Sequence, residues 1–444
     1  MLFPAGELTV GAEARGGASE AESRSADRDA RDGTAIGGRE WPATLARVAP
    51  AMHEIQWNTP CGPFGKNPDF DRELTPPLDL EWSVSLPRAD AEDDSSRVGC
   101  GEFLAIGVGH RGVHVFDARS GALLGEFDGF RRDDESRAVY FALDRVWIQS
   151  FGRPDGELFS VIRRMSPRLS RALLPNAEIC GVVATGGTSR IALRQGLFDP
   201  SGCGDFEPFP EGFDASIALD PRVFGSLGSP DAEGGGSRVG CFDAVTGQLR
   251  WRSALGSAAR PTVSVVSGRY CAVLEGTRHE TLTMHLVEDG TKAWTGPYSR
   301  GEDEPVGFLM GEPGFSRSFS ERTDRAKVAS CFLISDALSR LFYVEEKTLL
   351  CRDADSGEVL WSHEFPRDPQ TRHLIGTGRY LWCAMVEATK GKGRLYCFDK
   401  ESGDVVWKKD LPAKLRSVYL SLIGGRMQMV VGSKLCSLRS KVSG

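Results

Sequence analysis

The stretch Val239-Gly-Cys-Phe-Asp-Ala-Val-Thr-Gly-Gln-Leu-Arg-Trp251 decides how this chain is read, because it recurs. Leu349-Leu-Cys-Arg-Asp-Ala-Asp-Ser-Gly-Glu-Val-Leu-Trp361 and Leu395-Tyr-Cys-Phe-Asp-Lys-Glu-Ser-Gly-Asp-Val-Val-Trp407 align with it without a gap. So does Val113-His-Val-Phe-Asp-Ala-Arg-Ser-Gly121, where Gly125 takes the tryptophan slot. A shortened copy, Val287-Glu-Asp-Gly290, again places Trp294 four residues after its glycine. The residues before each Asp alternate as a strand does. Asp117, Asp243, Asp353 and Asp399 then open a turn in which a side-chain oxygen can hold the backbone. Gly121, Gly247, Gly357 and Gly403 supply a positive φ at little cost. A second strand runs out to Trp251, Trp361 or Trp407. Each copy therefore predicts a β-hairpin of about 15 residues.

Upstream of the hairpins lie further apolar runs, Phe103–Val108, Tyr270–Leu274, Arg340–Val344 and Tyr380–Val386. One more short strand before each gives a four-stranded unit. Asp353 and Asp399 are 46 residues apart, and Asp117 and Asp243 are 126 apart, three units of 42. Four-stranded antiparallel units repeated every ~40–50 residues predict an all-β fold, a β-propeller. Degenerate copies at Val139–Leu174 and Ile179–Phe209 bring the count to eight blades, or seven if the second is only an insertion. The last copy, Arg426–Leu438, stops before its outer strand. Leu80–Leu86 reads as that missing strand, with Trp82 in the tryptophan role, so that an N-terminal strand closes the last blade. The expected organisation is a disordered tail over 1–50, an irregular arm over 51–78 packed on the propeller, the propeller over 79–438, and a C-terminal tail over 439–444. The tail holds almost no large apolar side chain between Ala12 and Arg39 and cannot offset its ordering entropy. The arm holds Trp57, Phe64, Phe70 and several prolines.

At these blocks the chain resembles the PQQ-binding-like (quinoprotein alcohol dehydrogenase-like) β-propeller repeat family. The carriers are Asp-Ala-x-Ser/Thr-Gly-x-x-x-Trp at 243–251 and 353–361, the Asp-Lys-Glu-Ser-Gly variant ending in Trp407, and Pro76-Pro77-Leu-Asp-Leu-Glu-Trp82. The resemblance spans roughly residues 57–438. It implies the propeller fold, and it implies no single activity, because sites are grafted onto folds. The family includes quinone-dependent dehydrogenases, the propeller lipoprotein of the outer-membrane β-barrel assembly machine, and propellers without known activity. WD40 propellers are the competing repeat; Gly109-His110 is present, but no Trp-Asp pair follows.

Composition limits the function classes. The 444 residues are 40% hydrophobic and 26% charged with a net charge of −7, which disfavours nucleic acid and anionic membranes as main partners. No run reaches the ~18 apolar residues of a membrane-spanning helix. The eleven cysteines are widely scattered. With no secretion signal or lipid-attachment cysteine read near Met1, the expected compartment is the cytoplasm and the expected cysteine state is a reduced thiol.

Quinoprotein dehydrogenases, as the resemblance implies, hold the quinone over a central tryptophan, bind calcium with carboxylates and amides, and carry an adjacent Cys-Cys pair. This chain has no adjacent cysteines. Its repeat tryptophans Trp82, Trp251, Trp294, Trp361 and Trp407 hold the phase of blade-to-blade packing. Asp353-Ala-Asp355 spaces carboxylates like a calcium loop but shares the phase of the hairpin turns. His110 with His114, and His279 with His285, lack a ligand cluster around them. Gly391–Arg394 is read as a hairpin turn. The expected function is a non-catalytic, monomeric scaffold or protein/peptide-binding module with no cofactor, catalytic residue or metal site. A PQQ- and calcium-dependent dehydrogenase and a small-molecule or glycan sensor using the central channel are the alternatives.

Overall fold

The structure, a computed structural model, describes residues 55–57, 67–86, 97–100, 103–108, 112–127, 137–142, 145–150, 157–161, 169–173, 179–185, 188–199, 206–228, 237–256, 261–276, 281–299, 332–367, 369–387, 392–412, 415 and 418–441. The tail, most of the arm including Phe64, Trp41, His110, His279 and Gly391 lie outside the described residues.

The described residues form eight sheets and no helix. Sheet 1 holds Arg97–Cys100, Phe103–Val108, Gly112–Asp117 and Leu123–Phe127. Sheet 2 holds Arg137–Ala142, Arg145–Ser150, Glu157–Val161 and Leu169–Leu173. Sheet 3 holds Ile179–Thr185, Thr188–Leu193, Gly196–Phe198 and Phe206–Pro208, so the stretch read as either unit or insertion makes a four-stranded sheet of its own. Sheet 4 holds Phe213–Leu219, Arg222–Leu227, Arg238–Asp243 and Gln248–Ala254. Sheet 5 holds Thr262–Val266, Tyr270–Glu275, Thr281–Leu286 and Lys292–Pro297. Sheet 6 holds Phe332–Ser335, Arg340–Glu345, Thr348–Asp353 and Val359–Glu364. Sheet 7 holds Pro369–Thr377, Tyr380–Glu387, Gly393–Asp399 and Val405–Asp410. Sheet 8 holds Val418–Ile423, Arg426–Val431 and Lys434–Ser440, and its fourth strand is Leu78–Ser85 from the N-terminal side. Leu80 pairs with Leu438 and Val84 with Leu435, as the missing-strand reading requires.

The first strand of each sheet contacts the first strand of the next, and that of sheet 8 contacts that of sheet 1. First strands therefore surround a centre, and fourth strands form the rim. Burial follows this order. Tyr270–Glu275, a second strand, is buried along its whole length, because neighbouring sheets cover both faces. The fourth strands Val359–Glu364 and Val405–Asp410 alternate between exposed and half-buried residues.

Four of the five repeat tryptophans join sheet to sheet by one geometry. The Trp251 indole N–H donates to the Val287 carbonyl at 2.9 Å, that of Trp294 to Ala354 at 2.9 Å, that of Trp361 to Lys400 at 3.1 Å, and that of Trp82 to Ala118 at 3.3 Å. Each acceptor lies three residues before the turn glycine of the next sheet. The ring lies against that glycine: a Cβ on Gly290 would stand 2.5 Å from Trp251, and one on Gly403 2.6 Å from Trp361. The turn glycine thus serves its own backbone, with φ of 75° at Gly290 and 77° at Gly403, and also the neighbouring sheet's indole. Trp82 makes this contact from sheet 8 to sheet 1.

The cysteines behave as a packing series. Cys241, Cys351 and Cys397 stand opposite Trp251, Trp361 and Trp407, each beside a β-bulge. All three are buried free thiols. Burial pushes the Cys241 and Cys351 thiols up to about 12 and raises Cys397 as well, so they pack as small apolar groups and not as nucleophiles.

Candidate functional site

The turn carboxylates come first, since their spacing raised the question of calcium. Asp353 Oδ1 accepts the amides of Asp355 at 3.0 Å and Ser356 at 2.7 Å, and Gly357 N–H donates to the Asp353 carbonyl at 2.9 Å. Asp117, Asp243 and Asp399 hold their turns in the same way. The Ser356 amide and hydroxyl and the Asp355 amide hold the Asp353 carboxyl below the usual carboxylate range. Burial works against ionisation at Asp399, but Arg379 and the amides of Ser402 and Glu401 outweigh it, with the same net direction. A carboxyl depressed in the folded state stabilises above its unfolded pKa, and that stability is lost as pH falls through the folded value. The Asp353→Asn/Asp399→Asn double variant is therefore expected to lose less stability than the native chain between about pH 5 and about pH 2. Identical acid limbs in pH-dependent urea melts would reject this role.

The remaining sequence-predicted residues are spread over sheets 1, 4, 5, 6, 7 and 8. The fold brings them together only in pairs between neighbouring sheets, Trp82 with Gly121, Trp294 with Gly357 and Trp361 with Gly403, and not into one site. Among the described residues no three His, Cys, Asp or Glu side chains come together at metal-binding distance. His285 is buried, donates from Nδ1 to the Gly290 carbonyl at 3.1 Å, and stacks on Trp251 with ring centroids 6.4 Å apart. Burial pushes its pKa down, so it is a neutral part of the packing.

What the fold does gather lies at the centre. Two segments from the expected irregular arm are strands. Ile55–Trp57 pairs antiparallel with Arg97–Cys100, the first strand of sheet 1. Asp69–Phe70 pairs parallel with the end of Pro369–Thr377, the first strand of sheet 7. Both add to inner edges, where an unaugmented sheet presents unpaired amides and carbonyls. Within the segment read as an arm, backbone pairing, which composition does not reveal, orders these short pieces.

The second segment is held closely. The Asn67 side chain donates to the Ile334 carbonyl at 2.9 Å and accepts from the Ile334 amide at 3.0 Å, mimicking a strand against Phe332–Ser335. Gly376 N–H donates to the Pro68 carbonyl and Gly378 N–H to that of Phe70, both at 2.8 Å. Lys400 Nζ reaches Asp69 Oδ1 at 2.5 Å, with the lysine side chain only 2% exposed. Burial pushes the Asp69 carboxyl up, against the opposing pull of Lys400 and Ser335. Further along, the Arg72 guanidinium lies over Gly425, and Thr75 N–H donates to Ser440 Oγ at 2.8 Å. The chain then enters Leu78–Ser85, whose Glu81 pairs with Arg426 at 2.6 Å.

Sequence reading missed Asn67, Asp69 and Gly376, and it took Lys400 as a simple variant of the repeat. One signal was available. Lys400 stands where the aligned copies have Ala118, Ala244 and Ala354, all buried, and a lysine at a buried alanine position demands a partner.

The rim carries exposed aliphatic side chains. Val359 and Leu360 on sheet 6 are repeated by Val405 and Val406 at the same place on sheet 7, and all four are exposed.

Comparison with known proteins agrees with the repeat. Residues 339–440 match a family model described as outer membrane protein assembly factor BamB. No curated protein matches the chain by sequence. Among solved structures, BamB from Moraxella catarrhalis is similar with a TM-score of 0.51 at 13% identity, over 83% of this chain and 99% of that one. Quinohemoprotein alcohol dehydrogenase from Comamonas testosteroni is similar with a TM-score of 0.55 at 12% identity, over 90% of this chain and 84% of that one. A europium-containing methanol dehydrogenase gives 0.55 at 10% identity, over 87% and 90%. At these identities the likeness shows the fold alone, an all-β propeller.

Proposed function

We propose that this propeller of PQQ-binding-like repeats is a non-catalytic scaffold that binds protein or peptide partners and uses no cofactor. The observation that carries the reading is the state of the inner edges. Sheets 1 and 7 take up extended polypeptide by backbone pairing at Ile55–Trp57 and Asp69–Phe70. Strand addition of this kind is a general mode of peptide recognition, in which main-chain hydrogen bonds supply affinity and side-chain pockets supply selectivity.

Four of the five repeat tryptophans do not fit a quinone-stacking role. Trp82, Trp251, Trp294 and Trp361 each lie against a turn glycine of the neighbouring sheet and spend the indole N–H on that turn. The match to a family described as an assembly factor supports a partner-binding role, and the aliphatic rim of sheets 6 and 7 offers further surface for it.

Titration with pyrroloquinoline quinone and calcium tests the proposal. The purified chain is expected to show no saturable quenching of its tryptophan fluorescence at micromolar quinone and no dye-linked oxidation of alcohols or sugars. A saturable one-to-one titration accompanied by dye reduction would replace the scaffold with a dehydrogenase.

A further inference from the structure

We propose that the inner edge of Pro369–Thr377, with Lys400 beneath it and Ile334 beside it, is a binding site for an extended peptide of the form Asn-x-Asp-aromatic, filled in this structure by the chain's own residues 67–70. The inference rests on the polypeptide-binding reading above and names the ligand chemistry of one of its sites.

Three features of the receiving side are fitted to that ligand. The first is Gly376. A Cβ there would stand 2.0 Å from Asp69 Oδ1 and 2.9 Å from Lys400 Nζ. Its φ lies outside the left-handed region, so its backbone conformation does not require glycine. The missing side chain makes room for an aspartate. The second is Lys400. The aligned turns place alanine at this position, and an ammonium buried there is tolerated only when a carboxylate meets it. The third is the Ile334 peptide group, whose amide and carbonyl both face the ligand and are read together by one primary amide side chain. Asparagine offers a donor and an acceptor at that spacing; aspartate lacks the donor.

The ligand side is equally defined. The carbonyls of Pro68 and Phe70 take the amides of Gly376 and Gly378. A proline between Asn67 and Asp69 removes an amide that the parallel pairing does not use. Phe70 packs on the cluster formed by Ile375, Trp382 and the sheet 8 core. Among the described residues of this segment, Asp69 and Phe70 pair with the strand, and the contact described consists of a few hydrogen bonds, one charge and one ring. Such a contact can be reproduced by a separate short peptide.

The test uses the full-length chain and a fluorescein-labelled peptide, Asn-Pro-Asp-Phe-Asp-Arg-Glu-Leu, corresponding to residues 67–74. In the Asp69→Ala chain the internal ligand loses its charged anchor. Fluorescence anisotropy is expected to show saturable binding of the peptide to this variant and weaker binding to the native chain, where the internal copy competes. A peptide carrying Asp69→Asn is expected to bind about tenfold more weakly or worse, the scale of one hydrogen bond to a charged group. In the Asp69→Ala/Lys400→Met chain the preference for aspartate is expected to be lost or reversed, because the carboxylate would be buried without an ammonium partner. Absence of saturable binding to a cooperatively melting Asp69→Ala chain would overturn the proposal, as would a preference for the aspartate peptide that survives Lys400→Met. A second measurement needs no variant: the peptide with a photoreactive phenylalanine at position 70 is cross-linked to the native chain. Cross-links within Pro369–Thr377 or Tyr380–Glu387 support the site, and cross-links confined elsewhere reject it. Peptide binding fails or succeeds here independently of quinone binding, so loss of this site and loss of the scaffold reading are separable.

Discussion

Trp251→Ala is expected to lower the stability of the chain by about 3–5 kcal/mol, the range for truncating a large buried aromatic. Trp251 is 7% exposed and fills the contact between sheets 4 and 5. Truncation empties the space above Gly290, leaves the Val287 carbonyl without its indole donor, and removes the ring on which His285 stacks. The sheet would retain its own backbone hydrogen bonds, so the loss falls on the joint between sheets. Chemical denaturation reads it as a lower midpoint at an unchanged slope. Val245→Ala, at an exposed turn position in the same hairpin, is expected to stay within about 0.5 kcal/mol of the native chain. Equal midpoint shifts in the two variants would mean that the repeat tryptophan has no special packing role.

Lys400→Met is expected to cost about 3–5 kcal/mol, because it leaves the Asp69 carboxylate buried without its partner. Replacing both members should be far milder. In the Asp69→Leu/Lys400→Met chain no buried charge remains, and most of the loss is expected to be recovered. A double-mutant cycle over the four chains measures the coupling. Additive losses would show that the pair does not act as a unit, and a neutral Lys400→Met would show that the lysine reaches water in solution. The lysine has a second role that its side chain does not touch: its carbonyl accepts Trp361 Nε1 at 3.1 Å and Arg340 at 2.7 Å, and both bonds survive the substitution.

The hairpins were legible because their information is local. An Asp whose oxygen meets amides two and three residues ahead, and a glycine with positive φ four residues on, can be recognised from spacing alone. The strand that completes sheet 8 was legible for a related reason: Arg426–Leu438 lacked an outer partner, and Leu80–Leu86 carried the matching tryptophan. The position of the buried cysteines followed from phase, since equivalent residues in a repeat meet equivalent neighbours. Gly121, Gly290, Gly357 and Gly403 were legible as turn residues, but not as the surfaces on which the preceding sheet's tryptophan rests.

The central contacts were not legible, and the reason is distance along the chain. Asn67 meets Ile334 across 267 residues, and Asp69 meets Lys400 across 331. No period or local pattern connects such positions; they become neighbours only when the ring brings its first strands together. Sequence by itself determined the repeating unit, the turn chemistry and the residue types that pack one sheet on the next, because each depends on neighbours within one hairpin or on repetition. Tertiary structure alone decided that the inner edges of sheets 1 and 7 are filled by the chain's own N-terminal segments, that Gly376 is small to admit a carboxylate, and that a lysine in an alanine position is buried against an aspartate. Those choices depend on unsatisfied backbone edges and on a single buried charge, which acquire a location only after the sheets have assembled.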